Sequence, residues 1–276
     1  MDAPEKSKIN FLSFKNKPID FLPKSWVKEN LQMVTFDLDG VTIPVGTYIN
    51  EDITGTEIEI KTHKLSSKMV WLVKELKNYI HINFSSGRAL LYLQNILGDI
   101  LWDKASIQGE NGNFTLIEGQ IIQSAIYAKE YLQKLTDIKE DLKKLKSEHP
   151  DIIKGFEPKH MILSLHTARP EEEVCRIVEK RDPEEELYCQ WTSEGYDIGK
   201  KGVNKRSGLE FLTSRLGFDS RRAIAIGNNV NDKEMVEFGV GVTTNPEIIE
   251  GIFFIEGKNG KLQGEILAEY LLSCFE

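Results

Sequence analysis

The stretch MVTFDLDGV, residues 33–41, is an apolar run that ends in two aspartates one residue apart and then a glycine. Such a run predicts a buried strand, and Gly40 marks the sharp turn that ends it. Because side chains alternate along a strand, Asp37 and Asp39 should lie on one side of the sheet edge while Leu38 points into the fold. Two such carboxylates repel each other unless they share a cation or a proton. The stretch therefore predicts a charged ligand site or, more simply, a strand followed by an Asx-type turn.

Three further segments place polar residues where a predicted strand ends or a helix begins. HINFSSGR, residues 81–88, ends a short strand in a hydroxyl and a glycine, a junction that can hold an anionic oxygen. GVNKR, residues 202–206, opens a helix with Lys205 in its first turn, against the helix dipole, which indicates an anion nearby. AIAIGNNVND, residues 223–232, is a third buried strand followed by a polar cluster. Together they predict a ligand crevice at the carboxyl ends of a parallel sheet.

These four ordered motifs resemble those of the haloacid dehalogenase superfamily of phosphohydrolases, from about Leu31 to the C-terminus. The resemblance implies an α/β fold: a Rossmann-like core with a mostly parallel sheet and an α+β cap domain inserted after the second motif. In that family the first aspartate of the pair attacks phosphorus and the second protonates the leaving oxygen, and Asp37 and Asp39 match those positions. Lys205 matches the lysine that holds the nucleophile and the phosphoryl group together. The resemblance thus implies that these three residues are catalytic.

The resemblance also implies the residues that bind the phosphoryl group. Ser86 matches the serine or threonine that hydrogen-bonds the transferring group, and Gly87 and Arg88 follow it at the same strand-to-helix junction. Phosphoryl transfer depends mainly on positioning and on charge neutralisation around the equatorial oxygens, which fits donors and cations of this kind. We therefore expect all three residues to bind substrate.

The fourth motif departs from the family pattern, which usually reads Gly-Asp-x-x-Asn-Asp. Here Asn228 stands where the family has an aspartate that binds magnesium. An amide oxygen can still serve as a ligand, although losing one charge beside a dication should weaken binding by about 1–3 kcal/mol at an effective dielectric near 20. The expected magnesium ligands are Asp37, Asp39 through its backbone carbonyl, Asn228 and Asp232.

The predicted cap carries a second resemblance, to the Cof-like sugar-phosphatase branch (subfamily IIB) and in part to trehalose-6-phosphate phosphatase. The segment GFEPKHMILSLH, residues 155–166, looks like the cap strand that carries a Glu-x-Lys pair in that enzyme, which makes Glu157 and Lys159 candidate sugar ligands. An ordinary surface ion pair explains them equally well. The segment GVNKR, residues 202–206, echoes the phosphomannomutase form of the third motif.

The function that follows is a magnesium-dependent phosphatase that hydrolyses a small sugar phosphate through an aspartyl-phosphate. Two alternatives stay open at this point. One is a hexose phosphomutase that uses the same intermediate, and the other is a catalytically weak sugar-phosphate binding protein, which Asn228 suggests.

Composition is that of a globular enzyme. The chain has 276 residues, of which 40% are hydrophobic and 28% charged, and its net charge of −8 argues against nucleic acid as the main partner. No transmembrane stretch or secretory leader is evident, so a cytoplasmic monomer or homodimer without membrane contacts is expected. Three unpatterned cysteines, Cys175, Cys189 and Cys274, predict reduced thiols.

The expected domains follow from these motifs. Residues 1–30 form an apolar extension packed on the core, residues 31–122 and 194–276 form the catalytic core, and residues 123–193 form the cap. The chain is expected to return to the core near Gly195.

Overall fold

The computed structural model describes residues 11–52, 54–192, 194–258 and 260–276, which form fifteen strands and eight α-helices. The strands are β1 (Lys17–Pro18), β2 (Met33–Asp37), β3 (Tyr48–Glu51), β4 (Ile58–Lys61), β5 (His81–Ser85), β6 (Ala105–Gly109), β7 (Phe114–Ile117), β8 (Gln120–Gln123), β9 (Ile153–Glu157), β10 (Leu163–Thr167), β11 (Leu187–Trp191), β12 (Gly195–Lys200), β13 (Ala223–Gly227), β14 (Val240–Thr243) and β15 (Phe253–Phe254). The helices are α1 (Lys24–Asn30), α2 (Ser67–Leu76), α3 (Leu90–Leu97), α4 (Lys129–Glu148), α5 (Glu172–Arg181), α6 (Lys205–Leu216), α7 (Lys233–Val236) and α8 (Gln263–Phe275).

The largest sheet has nine strands in the order β1-β15-β14-β13-β2-β5-β6-β7-β8. Neighbouring strands from β1 to β6 in this order run parallel, and β7 and β8 continue the sheet antiparallel. The expected α/β fold with a mostly parallel sheet is therefore confirmed. Strand β2 lies between β13 and β5, so the three strands that carry polar motifs are neighbours.

Helices cover both faces of this sheet, as the alternation of its buried side chains requires. Val34 and Phe36 of β2 join a core cluster with side chains of α1, α2, α3 and α8. Met33, which points to the other face, joins a second cluster with residues of α6 and α7. Burial on both faces explains why β13 is apolar throughout and why β2 is apolar before Asp37 except at Thr35. Strand β5 is equally buried but carries polar side chains at His81, Asn83 and Ser85.

The N-terminal extension packs on the core from Phe11 onward. The Phe11 ring lies edge-on to Trp26 and Phe253, with centroids 5.2 and 5.6 Å apart, and β1 pairs with β15 at the sheet edge. The part of the predicted extension within residues 1–10 lies outside the described residues.

The second sheet is antiparallel, with four strands in the order β11-β12-β10-β9, and it packs against α4 and α5 around its own apolar cluster. It forms the inserted α+β unit that the sequence predicted. The predicted return to the core near Gly195 comes too early, because β12 (Gly195–Lys200) pairs with both β10 and β11 and so belongs to the insert. The third sheet is the small ribbon β3–β4.

The cysteine prediction is wrong for two of the three residues. Cys175 on α5 and Cys189 on β11 form a disulfide, with their Cα atoms 5.8 Å apart, whereas Cys274 is a free, buried thiol. The pairing depends on α5 packing against β11, which spacing along the chain does not reveal. In the described part of the chain, every helix is too short or too polar to cross a bilayer.

Candidate active site

The carboxyl ends of three adjacent strands meet at one edge of the main sheet. Asp37 ends β2 opposite Ser85 of β5, Ser86 follows β5, and Asn228 follows β13. Strand registry alone therefore brings three of the predicted motifs together, since parallel strands end at the same edge.

Lys205 is the first residue of α6 and is almost fully buried. Asn204 caps the helix, and the Lys205 ammonium lies 2.5 Å from Asp37 Oδ1 and 2.5 Å from Asp232 Oδ1. Burial alone would lower the pKa of Lys205, but the Asp232 and Asp37 carboxylates outweigh it and raise that pKa. The third and fourth motifs thus converge on Asp37 through one cation, and this explains a lysine in the first turn of a helix.

The negative charge around Asp37 is larger than the single positive charge of Lys205 can neutralise. Burial and then the Asp232 carboxylate raise the pKa of Asp37 to about 7, against the opposing effect of Lys205. A carboxylate in this position is held ionised only when further positive charge comes close.

Asp39 is paired with Arg88 from the second motif. The Arg88 Nη2 and Nε atoms donate to Asp39 Oδ1 and Oδ2 at 2.5 and 2.9 Å, and Arg88 Nη1 donates to Thr62 Oγ1 at 2.7 Å. Such a two-pronged pair is strong and directional. Both Asp39 oxygens therefore accept from one guanidinium, and Asp39 can exchange a proton only when one of these bonds opens.

Asn228 faces the backbone of the first motif. Its Nδ2 atom donates to the Asp39 carbonyl oxygen at 3.0 Å. Its own backbone N–H donates to Asp232 Oδ2 at 3.0 Å, and the Asn229 N–H donates to the same oxygen at 3.1 Å. Asp232 Oδ1 thus accepts from Lys205, and Asp232 Oδ2 accepts from the two backbone N–H groups of this loop. Asp232 therefore holds both the loop and the lysine in place.

The donor set at this edge is compatible with magnesium. Asp37, the Asp39 carbonyl and the Asn228 amide supply the hard oxygen atoms that this ion binds. No group of three histidine, cysteine, aspartate or glutamate side chains suited to a metal occurs among the residues that the structure describes, so any ion here would retain water ligands.

Charge counting also favours a cation. A cavity of about 140 Å³ opens above the strand ends, and five carboxylates but only three cations line it within the described chain: Asp37, Asp39, Glu157, Glu194 and Asp197 against Arg88, Lys159 and Lys205. A dication would offset the excess.

The cap supplies the opposite wall of the cavity. Lys159 is buried 3.1 Å from Glu157 and 3.3 Å from Asp197, and His166 Nε2 lies 3.5 Å from Glu157. Burial would raise the pKa of Glu157, but Lys159 and then His166 lower it to about 2. The pair is therefore a buried ionic cluster that faces the cavity, and the simpler interpretation of an exposed surface pair does not hold.

Asp197 is a site residue that the sequence analysis missed. It lies on β12 opposite Ser164, which in turn lies opposite Glu157, so the three side chains form one polar row across three strands. The sequence pattern that could have revealed Asp197 is an aspartate between two apolar residues in YDI, residues 196–198. On a strand with one buried face, such an aspartate points to the polar face. Asp197 was missed because residues 194–276 were assigned to the core and not to the cap.

The second motif forms the floor of the cavity. Ser86 Oγ accepts a hydrogen bond from the Arg88 N–H at 3.2 Å. Gly87 lies beside Asn111, since a Cβ atom added to Gly87 would lie 3.2 Å from Asn111 Oδ1. That Asn111 oxygen is buried without a hydrogen-bond partner in the described structure. The structure therefore brings every predicted site residue to one cavity or its immediate border.

Comparisons with known proteins agree with this architecture. Residues 139–244 match the family model described as haloacid dehalogenase-like hydrolase. The chain is 25% identical over 257 residues to YkrA of Bacillus subtilis (strain 168), a protein with a provisional phosphatase name, with 81% of this chain and 91% of YkrA covered.

Two solved structures show the same fold at low identity. The C-terminal domain of the C. albicans trehalose-6-phosphate phosphatase aligns with a TM-score of 0.65 at 15% identity, covering 95% of this chain and 97% of that domain. The phosphatase BT1666 of Bacteroides thetaiotaomicron aligns with a TM-score of 0.61 at 15% identity, covering 89% and 95%. With its motifs gathered at the strand ends beneath an inserted cap, the chain resembles the haloacid dehalogenase-like hydrolases, whose family model it matches over residues 139–244, and this similarity supports an enzyme of the phosphatase type.

Proposed function

We propose that this enzyme is a magnesium-dependent phosphatase that hydrolyses a small sugar phosphate through an aspartyl-phosphate on Asp37. The observation that carries the proposal is the buried Lys205, which lies between Asp37 and Asp232 beside a cavity whose far wall is the cap cluster of Glu157, Lys159 and Asp197. A phosphate group fits the first set of residues, and sugar hydroxyls fit the second. The trehalose-6-phosphate phosphatase among the structural neighbours supports a sugar phosphate as substrate.

Before the proposed first step, one Arg88 bond to Asp39 opens and the freed carboxylate takes up a proton from water. An Asp37 oxygen then attacks phosphorus, the bond from phosphorus to the sugar oxygen breaks, and Asp39 gives its proton to that oxygen, so the sugar leaves as an alcohol. A water molecule then loses a proton to Asp39 and attacks phosphorus, which releases phosphate and restores Asp37. Lys205 holds Asp37 towards phosphorus, and Ser86 with the Gly87 N–H donates to the phosphoryl oxygens.

Magnesium, when bound, supplies positive charge that offsets the phosphate and the excess of carboxylates. Asp37, the Asp39 carbonyl and Asn228 would hold it. We assign Asp232 a positioning role instead of direct metal contact, because both of its oxygens already accept hydrogen bonds.

The test is phosphate release from a panel of sugar phosphates, nucleotides and amino-acid phosphates, with magnesium or with a chelator. We expect release from at least one sugar phosphate that requires magnesium, and a loss of about 10³-fold or more in Asp37→Asn, since this change removes the attacking oxygen at constant volume. Asp151→Asn, at an exposed aspartate of the insert, is the matched control and should behave like the wild type.

Other outcomes reject the proposal. Wild-type rates in Asp37→Asn would exclude the aspartyl-phosphate, and a preference for nucleotides or amino-acid phosphates would exclude the sugar class. Conversion between hexose phosphate isomers in the presence of a sugar bisphosphate, without release of phosphate, would instead indicate a mutase.

A further inference from the structure

Two carboxylates outside the cap, those of Glu51 and Glu110, accept hydrogen bonds from the backbone of one short cap segment. Glu51 of the ribbon accepts the Phe156 N–H at 3.2 Å and pairs with Lys146 of α4 at 2.8 Å. Glu110, in the turn between β6 and β7, accepts from the backbone of His160 and Met161. The segment 156–161 is therefore fixed to the core near both of its ends.

Glu110 is the more unusual of the two. It is fully buried, and its oxygens accept the His160 N–H at 3.0 Å and the Met161 N–H at 2.8 Å, with the His160 Nδ1 atom 3.0 Å away. Among the residues that the structure describes, no lysine or arginine forms an ion pair with it, and the His160 side chain is 75% exposed. A buried carboxylate of this kind is costly unless backbone donors satisfy it. Its partners all come from the cap.

The segment 156–161 carries the residues proposed to bind the sugar. Glu157 and Lys159 lie between the two anchor points, and Lys159 reaches across to Asp197. The phosphate is held by the core and the sugar by the cap, so the register between the two units sets where the ester bond lies relative to Asp37. A misplacement of about 1 Å is enough to cost about 100-fold in rate.

We propose that Glu110 is a positioning residue: its carboxylate docks the cap on the core and places Glu157 and Lys159 over the phosphate site. Glu110 thereby sets the efficiency on substrates that need the cap, while leaving the chemistry at Asp37 unchanged. The inference rests on the proposed sugar-phosphate activity.

The kinetic test compares two substrates in Glu110→Ala and Glu110→Gln. For the best sugar phosphate, kcat/KM should fall by about 10- to 100-fold in Glu110→Ala. For p-nitrophenyl phosphate, whose leaving group has no hydroxyls for the cap to hold, it should stay within about threefold. Glu110→Gln keeps the side-chain volume and one acceptor oxygen, so it should fold even if Glu110→Ala fails to fold. In Glu110→Gln, kcat/KM for the sugar phosphate should fall less than in Glu110→Ala, and the value for p-nitrophenyl phosphate should again change little.

Glu118→Ala is the matched control. Glu118 lies in the following turn, between β7 and β8, and has nearly the same backbone angle, φ 50° against 51° for Glu110, but it is exposed. Any loss that both variants share reflects the left-handed backbone of the turn, and only the excess in Glu110→Ala counts for docking. Equal losses on both substrates, or an unchanged sugar-phosphate rate in a folded Glu110 variant, would overturn the inference.

Amide hydrogen exchange tests docking without catalysis. The His160 and Met161 amides should exchange slowly in the wild type and about 10-fold or more faster in Glu110→Ala, because their acceptor is gone. Unchanged exchange overturns the inference even if the enzyme is active. If the wild type hydrolyses no phosphate ester, the proposed function fails, and the exchange result still decides whether Glu110 docks the cap.

Discussion

At the scale of single residues, Asn228 is where this chain departs from the motif pattern of the haloacid dehalogenase superfamily that it resembles. Its amide nitrogen donates to the Asp39 carbonyl, one of the oxygens proposed to bind magnesium. An aspartate in this position would place a negative carboxylate against that carbonyl and near Asp232, which is favourable only with a cation between them. We therefore expect Asn228 to stabilise this loop when no metal is bound and to weaken the binding of magnesium.

Asn228→Asp should reverse this balance. Without magnesium the free energy of unfolding should fall by about 1–3 kcal/mol, because a hydrogen bond is replaced by repulsion between like charges. With magnesium it should recover, and the concentration for half-maximal activity should drop. Thermal unfolding in chelator and in magnesium, together with calorimetric titration of the ion, measures both effects.

Asn229→Asp adds the same charge one residue further on and serves as the control for Asn228→Asp. An equal shift in both variants would mean a general effect of charge. An unchanged magnesium affinity in Asn228→Asp would exclude this position as a ligand.

At the scale of elements, the hairpin turn between β6 and β7 supports the helix that carries Lys205. Gly112 in this turn has φ 89°, and a Cβ there would lie 2.6 Å from the Asn204 carbonyl and 3.0 Å from Gly208 Cα. Two glycines thus allow the turn and the first turn of α6 to touch backbone to backbone. This contact places the Lys205 ammonium beside Asp37.

Gly112→Ala should lower the free energy of unfolding by about 2–5 kcal/mol, since it adds left-handed strain and a clash with α6. Phosphate release should also fall, because Lys205 shifts. Gly119→Ala is a matched control, with φ 75° and its nearest neighbour at 3.7 Å, so it carries the strain alone and should cost about 1 kcal/mol. Urea unfolding of both variants measures the difference, and equal losses would show that the contact with α6 is unimportant.

At the scale of the whole molecule, acid stability depends on a histidine far from the site. His81 begins β5 at the opposite edge of the sheet, where it is buried 2.9 Å from Ser106 Oγ. Burial, and then Lys77 and Lys104, lower the pKa of His81 to about 4. The folded protein thus holds this side chain neutral at a pH where the unfolded chain protonates it.

The sign of the resulting pH dependence follows from linkage. Because the folded pKa lies below the unfolded value of about 6.5, the contribution of His81 is complete above pH 6.5 and is lost as the pH falls towards 4. The expected loss is on the order of 3 kcal/mol. Urea unfolding at pH 7, 5.5 and 4 should show a smaller decline in His81→Gln than in the exposed control His149→Gln. Parallel declines in the wild type and both variants would contradict the assignment.

The sequence alone determined the mostly parallel sheet of this protein and the positions of its four polar motifs at strand ends or at the start of a helix. Apolar runs that end in Asp37, Ser86 and Asn228 are local signals, and parallel strands necessarily bring their carboxyl ends to one edge. The start of α6 at Lys205 was predictable for the same reason, because the preferences that begin a helix act within a few residues.

Tertiary structure alone decided how those groups are paired. Arg88 binds Asp39, Asp197 completes the cap cluster, Glu110 holds the cap loop, and Cys175 bonds to Cys189. Each of these pairs joins elements whose separation along the chain carries no information about their contact. Their geometry depends on how the sheets and helices pack, and packing is a property of the whole core, whereas strand and turn signals belong to short segments.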